Sequence, residues 1–457
     1  MGLAMINLAR INEKLLALFK IKFVKDTLFL QAGTVVAIGA NFITSVVLAR
    51  ILQPERYGIY ALVFSLYGLI GLLANVGVGP ATVTRLAEAY ARKDEEEVTN
   101  LLAFFVKMSA ITATFTFIVG FSFSPYLAAR MYGSPEIGHM ARLLFFIAPL
   151  GIMYGLVTTV LQSVRMMQQL TILESFMTIL TSVFIISFVL LGLGIRGIVY
   201  GRVLATALSS VIGLLIYHRL RWQLGNALPS LRKALSRVRK AKVRKYLTFG
   251  FLIAIDKNIA NLYTIVPVQL LGIYASPSSV GFFKLALGVI TLPMALFNSI
   301  IRNLSSKLPE DMGRRDFRGL RQNFIKVTIT SGLLSLIIIG LFVILVPYFV
   351  PFVYGEGYRP ALSLIYLLVP YPIITAIGGG LGPLYRTLDK MGVAIGAKLI
   401  TLAIMLPLGL VLISKTKEVG AALFVDGIFL FSIICTALWI LPALDRLLFK
   451  ESQKKRC

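Results

Sequence analysis

Residues 49–66 read ARILQPERYGIYALVFSL, and residues 271–288 read LGIYASPSSVGFFKLALG. Each is an apolar run broken by a short proline-centred turn and then resumed, and the prolines Pro54 and Pro277 stand 223 residues apart. The offset recurs along the chain. YLAARMYGSPEIGHMARLLFFIAPLG (126–151) aligns with YFVPFVYGEGYRPALSLIYLLVPYP (348–372) at 222. ARKDEEE aligns with GRRDFRG at the same spacing, and GIRGIVYG with EVGAALF at 223. Self-similarity sustained at one long period means that one structural unit occurs twice.

Composition says what the runs are. The chain is 57% hydrophobic with a mean hydropathy of +0.84. Only 14% of its residues are charged, where a soluble domain carries about a quarter. The runs are long enough to cross ~30 Å of hydrocarbon as helices, and helices satisfy their own backbone groups in lipid. Twelve spans are expected: 28–51, 58–80, 101–125, 139–161, 170–193 and 197–217, then 246–272, 279–301, 324–347, 360–382, 392–413 and 419–441. Turn residues separate them, as in YGSPEIG and YASPSSVG. Six spans per half keep the two halves parallel in the membrane, an arrangement that transporters use with a site near midplane. The fold class is thus an all-α polytopic membrane protein, two pseudo-symmetric six-helix lobes around a central cavity. The lobes are 28–218 and 246–441, with 1–27 before them, a linker at 219–245 and a tail at 442–457.

Charge sets the orientation. Most of the 46 Lys and Arg residues fall in alternate connections, and ten lie in 219–245, which holds no acid. The positive-inside rule places those connections and both termini in the cytoplasm, in the cell (inner) membrane. The net charge of +26 then faces anionic lipid headgroups, with no need of a nucleic-acid partner. The linker reads as a solvated connector. Residues 1–27, with INEKLLALFKIKF, read as a basic amphipathic helix on the inner surface, lacking the cleavage site of a signal peptide. Cys435 and Cys457 make no disulfide framework.

Asp256 and Lys257 sit together deep in the seventh span, FLIAIDKNIANLYTIV. A charge there is costly unless it faces a partner or a wet cavity. Steps of four and three residues put Lys257, Asn261 and Thr264 on one helical face. The first span carries a similar stripe of Gln31, Thr34, Asn41 and Ser45; at the 223 offset Thr34 matches Lys257 and Asn41 matches Thr264. The eighth repeats the theme with Lys284, Gly288, Thr291, Ala295, Asn298 and Arg302. Lysine and arginine suit phosphate, and amides and hydroxyls suit sugars, so the lining implies an anionic, hydroxylated cargo. A packing role stands beside this reading. Asp256 and Lys257 are about 100° apart on a helix, so each can pair with a different span and simply fix it. Lys107, Arg142 and Lys398 lie near span ends, where long side chains are expected to snorkel to the surface.

The stretch LARILQPERYGIYALVFSLYGLIGLLANVGVGPATVTRLAEAYARKD resembles the Wzx-type polysaccharide flippases of the multidrug/oligosaccharidyl-lipid/polysaccharide exporter superfamily. Through the span count and the six-plus-six repeat the resemblance covers nearly the whole chain. It implies export of an isoprenoid-diphosphate-linked oligosaccharide from inner to outer leaflet by alternating access, with the first, second, seventh and eighth spans lining the cavity. Other glycan-assembly proteins are expected as partners. The family brings no fixed ligand motif, so the site residues rest on the helical faces. Lys257 and Lys284 are expected to meet the diphosphate or acidic sugars, and Arg302 to draw substrate in from the cytoplasm. Asn261, Thr264, Thr291, Asn298, Gln31, Thr34 and Asn41 are expected to meet sugar hydroxyls, and Asp256 to release the headgroup by pairing with a lysine in the outward state.

The runner-up is a cation-coupled multidrug antiporter of the same superfamily. Those proteins commonly carry an acid in the first span, and 28–51 has none. Lipid II flippases and spore-wall exporters usually have two further spans, and the basic signature of a major-facilitator carrier after its second span is absent. An enzyme is not expected, nor a cofactor or metal. The histidines, His139 and His218, lie at span ends with no acids clustered near them, and there is no Gly-rich phosphate loop or Cys/His metal spacing.

Overall fold

A computed structural model describes residues 22–225, 228–241, 243–294, 301, 304 and 307–454. Every regular element among them is helical. Among the described residues eight helices are long and apolar enough to cross a bilayer, and the pair Pro135–Leu150 and Ile152–Ser163, bent by 47°, makes a further crossing. Three of the eight, Gln31–Ala74, Met167–Leu224 and Met391–Leu447, hold 44, 58 and 57 residues. At 1.5 Å per residue each is roughly two to three times the ~30 Å of hydrocarbon. Each is also interrupted, at Gln53, at Gly192–Gly194 and at Lys417, where φ turns positive. Counting each as two spans gives the twelve expected crossings. In chain order they are α1 (22–52), α2 (54–74), α3 (Glu95–Tyr132), α4 (the bent pair, 135–163), α5 (Met167–Phe188) and α6 (Gly194–Leu224). Then come α7 (Val243–Tyr274), α8 (Pro277–Thr291), α9 (Phe317–Tyr354), α10 (Ala361–Thr387), α11 (391–416) and α12 (418–454).

The backbone repeats as the sequence does. Positive φ occurs at Lys93 and Arg315, at Gly133 and Gly355, at Arg165 and Asp389, and at Gly194 and Lys417. Each pair is separated by 222 to 224 residues. The turn in ARKDEEE and its counterpart in GRRDFRG close in the same way. Asp94 Oδ1 accepts the amide of Glu97 at 2.9 Å, and Asp316 Oδ1 accepts that of Gly319 at 2.8 Å, so both are helix N-caps.

By packing, the described chain divides into two compact units that are drawn differently from the two sequence halves. One holds residues up to 47, 78–117 and 143–250. Here α1 lies against α5 at Gly33, where a Cβ would strike the methyl group of Thr171. Ser182 Oγ donates to the Ala40 carbonyl at 3.5 Å. The linker is docked in this unit, and so differs from the solvated connector expected. Ser230 caps Leu231–Arg237, Leu228 and Ala234 are buried, and Arg237 pairs with Glu96 at 2.9 Å. Lys107 does not snorkel. Its ammonium donates to the carbonyls of Arg239 (3.3 Å) and Ala241 (3.2 Å), carbonyls that a short helix end leaves without an intrahelical donor. Tyr246 completes the attachment by donating to Glu97 Oε1 at 3.0 Å.

The other unit holds 48–77, 118–142 and 251–457. Within it α2 runs antiparallel along α7. Leu62 meets Gly272, Ser65 Oγ accepts from Gln269 Nε2 at 3.1 Å, Gly68 meets Ile265, and Asn75 Nδ2 donates to Asn258 Oδ1 at 2.9 Å. As one residue number rises its partner falls. Small residues on α2 allow the approach, as they do between membrane helices generally. At the Pro54 end α2 crosses α8 so closely that a Cβ on Gly58 would strike the carbonyl of Pro277, and one on Gly281 the carbonyl of Pro54. The last turn of α1 is tied in too. Tyr358, wholly buried, donates to the Ala49 carbonyl at 3.0 Å, and Arg50 Nε donates to that of Val353 at 2.7 Å.

Candidate functional site

Three faces of α7 do three different things. Taking Asp256 as the reference, Tyr263 and Ile259 share its side of the helix at ~100° per residue. That side packs on the later spans. Asp256 is 3% exposed. Its Oδ1 accepts from Lys398 Nζ of α11 at 2.5 Å, and its Oδ2 from the Tyr385 hydroxyl of α10 at 2.8 Å, with the Arg386 guanidinium 3.7 Å away. Tyr263 donates to the Lys398 carbonyl at 3.2 Å and lies 3.2 Å from Ser432 Oγ. The roughly opposite side carries Asn258, Ile265, Gln269 and Gly272, the residues that meet α2. Asn258 Nδ2 also donates to the carbonyls of Leu72 and Asn75, so this side chain closes the end of α2. Between the two packed sides lies the stripe of Lys257, Asn261 and Thr264, with Lys257 and Asn261 exposed and Thr264 half-buried.

The helix α8 shows the same economy more sharply. Val280, Phe283, Leu285, Ala286, Leu287, Val289 and Ile290 are buried, and they surround the helix on nearly every side. The exception is one line: Lys284 and Gly288 are exposed, and Thr291 is half-buried below them. A Cβ on Gly288 would meet nothing within 4 Å. Among the described residues neither Lys257 nor Lys284 makes an ion pair. The two threonines are spoken for in part. Thr264 donates to the Asn261 carbonyl, and Thr291 to those of Leu287 and Gly288, so each hydroxyl is left as an acceptor.

The sequence-derived candidates therefore separate into groups. Lys257, Asn261 and Thr264 share a face of α7, and Lys284 and Thr291 share a face of α8, in one unit. Gln31 and Thr34, half-buried, and Asn41, exposed, lie on α1 in the other unit. Asn298 and Arg302 lie outside the described residues. Asp256 is brought to Lys398, Tyr385 and Arg386 and turned away from Lys257. Lys398, expected to snorkel, is that carboxylate's counter-ion. Arg142, likewise expected to snorkel, donates to the Phe121 carbonyl at 3.2 Å and covers the Phe121 ring. Sequence reasoning missed Asn258 and Tyr385; an intramembrane acid with a lysine in a later span was the signal available for Lys398. Among the described residues no three His, Cys, Asp or Glu side chains are placed to hold a metal ion.

The geometry offers two exposed lysines and an amide, while the neighbouring carboxylate is already neutralised. That is a surface for an anion bearing hydrogen-bonding groups.

Comparison with known proteins gives this surface a context. The family model described as "Polysaccharide biosynthesis protein" matches residues 23–304. The chain is 22% identical over 378 residues to the lipopolysaccharide biosynthesis protein WzxC of Escherichia coli (strain K12), spanning 79% of this chain and 69% of that protein. It is 22% identical over 401 residues to a putative O-antigen transporter of the same strain, spanning 84% and 89%. Among solved structures it is similar to an inward-facing multidrug resistance transporter of the MATE family in the MOP superfamily. The TM-score is 0.68 at 16% identity, covering 90% of this chain and 95% of that one. A eukaryotic MATE transporter, AtDTX14, gives 0.68 at 14% identity over 93% and 99%, so the fold is shared across proteins of very different sequence. The chain belongs to the polysaccharide biosynthesis protein family, and it is a multi-pass membrane protein with the fold of the MATE transporters.

Proposed function

We propose that this protein moves an isoprenoid-diphosphate-linked oligosaccharide from the inner to the outer leaflet of the cell membrane by alternating access, with both termini in the cytoplasm. The observation that carries the reading is the exposure of Lys257 between the two packed sides of α7 and of Lys284 along the one open line of α8, with Asp256 already held by Lys398. An ammonium at membrane depth with no protein counter-ion is stabilised by water when the path is empty and by an anionic headgroup when it is filled. Lys257 and Lys284 bind the diphosphate or acidic sugars. Asn261 donates to sugar hydroxyls, Thr264 and Thr291 accept from them, and Gln31, Thr34 and Asn41 on α1 meet sugar hydroxyls. Asn298 meets sugar hydroxyls, and Arg302 draws the substrate in from the cytoplasm. Asp256 acts as a positioning residue that fixes the rotation of α7 and so aims Lys257. The family membership and the names of the relatives agree with this cargo.

The test is flipping in proteoliposomes. A lipid-linked oligosaccharide loaded in the inner leaflet becomes accessible to an external glycosidase only after crossing. Protein-dependent exposure of the sugar is expected; none above protein-free vesicles would remove the proposal. The MATE-like fold favours a second reading, a cation-coupled multidrug antiporter. Two exposed lysines repel cationic drugs, so uptake of such a drug driven by a cation gradient would favour that reading.

A further inference from the structure

A groove opens at the ends of α4, α5 and α6 that carry Ser163, Met167 and Leu224, within the first unit. It encloses about 350 Å³. The two helices of the α5–α6 hairpin touch at the other end, where a Cβ on Gly201 would lie 2.9 Å from the Ile185 amide nitrogen. At the opposite end the groove lies between them, with Gln169 and Gln223 in its lining. Its floor is apolar and buried, formed by Leu161, Leu173 and Leu220. Its rim, Ile172 and Phe176, is exposed. On α6 the residues Ile212, Ile216, Arg219 and Gln223 follow steps of four, three and four, so one face runs from apolar to cationic along its length.

Depth in the membrane is marked independently. Val211, Leu215 and Trp222 form an exposed stripe on the adjoining face of α6, and Trp222 is 82% exposed. Tryptophan collects at the headgroup level of a bilayer, and Arg219 lies within one turn of it. Among the described residues Arg219 makes no ion pair, and the 27 residues from Arg219 to Lys245 contain no acid. The polar end is thus an unpaired guanidinium flanked by the amides of Gln169 and Gln223, opening onto an apolar slot that faces lipid.

We infer that this groove is a binding site for one anionic phospholipid, with an acyl chain against Ile172, Phe176, Ile212 and Ile216 and the phosphate on Arg219. The planar guanidinium matches phosphate geometry. The apolar floor holds the chain where an annular lipid would exchange freely. The site is separate from the cargo stripe on α7 and α8, and lipid retention is read without transport, so its test is independent of the proposed function.

The full-length protein is reconstituted in nanodiscs of phosphatidylcholine with a minor share of phosphatidylglycerol, and the lipids retained after gentle release are counted by native mass spectrometry. Preferential retention of one phosphatidylglycerol is expected. Arg219→Gln should cut that preference about fivefold, the equivalent of ~1 kcal/mol for one basic contact near the surface, and Arg219→Lys, which keeps the charge but not the planar fork, should keep part of it. Ile216→Trp fills the slot and should lower retention of both lipids; should that variant fail to fold, the two Arg219 variants decide alone. Equal retention of the two lipids by the wild type, or a preference unchanged in Arg219→Gln, overturns the site.

Discussion

Gly58 and Gly281 occupy equivalent positions in the two sequence halves, 223 residues apart, and they face each other across a single helix crossing. Each leaves room for the carbonyl four residues before the other: Gly58 for Pro277, Gly281 for Pro54. The repeat therefore meets itself at this point, and a local pseudo-twofold axis passes between α2 and α8. Proline at the first turn lacks an amide that the helix would not use, and glycine one turn later removes the Cβ that would hold the backbones apart.

Gly58→Ala is expected to cost about 1–3 kcal/mol, the usual range for overpacking, because the obstacle is backbone and cannot rotate away. Gly281→Ala should cost the same, and the double variant no more than the sum. Thermal unfolding in detergent measures all three. Wild-type stability in Gly58→Ala would mean that the crossing is looser than described.

The contact continues along α2 and α7, and the proposed alternating access is expected to part it. Ser65→Cys with Gln269→Cys, joined by a short bis-thiol crosslinker, is expected to stop flipping while leaving the fold intact. Crosslinker cleavage should restore transport. Full activity in the crosslinked protein would show that α2 and α7 travel together throughout the cycle.

Asp256 and Lys398 form an ion pair inside the membrane, and breaking it from one side leaves a buried charge. Lys398→Met is expected to cost roughly 3–5 kcal/mol, whereas Lys398→Met with Asp256→Asn should recover most of that, since no charge is then stranded. Melting temperatures of the two singles and the double close the cycle. Additive losses would place the stabilisation elsewhere.

How much of this was legible in the sequence follows from what each signal measures. Apolar length reports the number of crossings, and the 222–223 offset reports the repeat down to the paired turns at Lys93 and Arg315. Helical phase placed Lys257, Asn261 and Thr264 on one open face because phase is local. It could not distinguish Asp256 from Lys257, since adjacent residues point to different neighbours and the neighbours are 129 and 142 residues away. Nor could it see the linker docked by Lys107: a basic stretch without acids reads as solvated until Glu96, Glu97 and the Lys107 ammonium are brought to it from another span.

That docking can be weighed directly. Lys107→Met removes a charged donor from two linker carbonyls, worth about 1.5–3 kcal/mol per charge-assisted bond at most. The loss should appear locally, as faster tryptic cutting between Arg237 and Lys245, with a smaller change in global melting. A cutting rate equal to wild type would mean that Arg237 and Tyr246 hold the linker without Lys107.

Lys257 and Lys284 separate cargo contact from packing. Neither has an ion-pair partner among the described residues, so Lys257→Ala and Lys284→Ala should melt within about 0.5 kcal/mol of wild type, the range for sites away from packed features. Each should nonetheless lower flipping roughly tenfold to hundredfold, the worth of about 1.5–3 kcal/mol for a bond to a charged group. Lys257→Arg keeps the charge and should keep part of the rate, while Lys257→Glu repels phosphate and should abolish transport. Flipping rate and melting temperature are measured side by side for all four variants. A packing lysine would reverse the pattern: Lys257→Ala would unfold the protein or transport normally, and either outcome returns the lysine to the scaffold with Asp256.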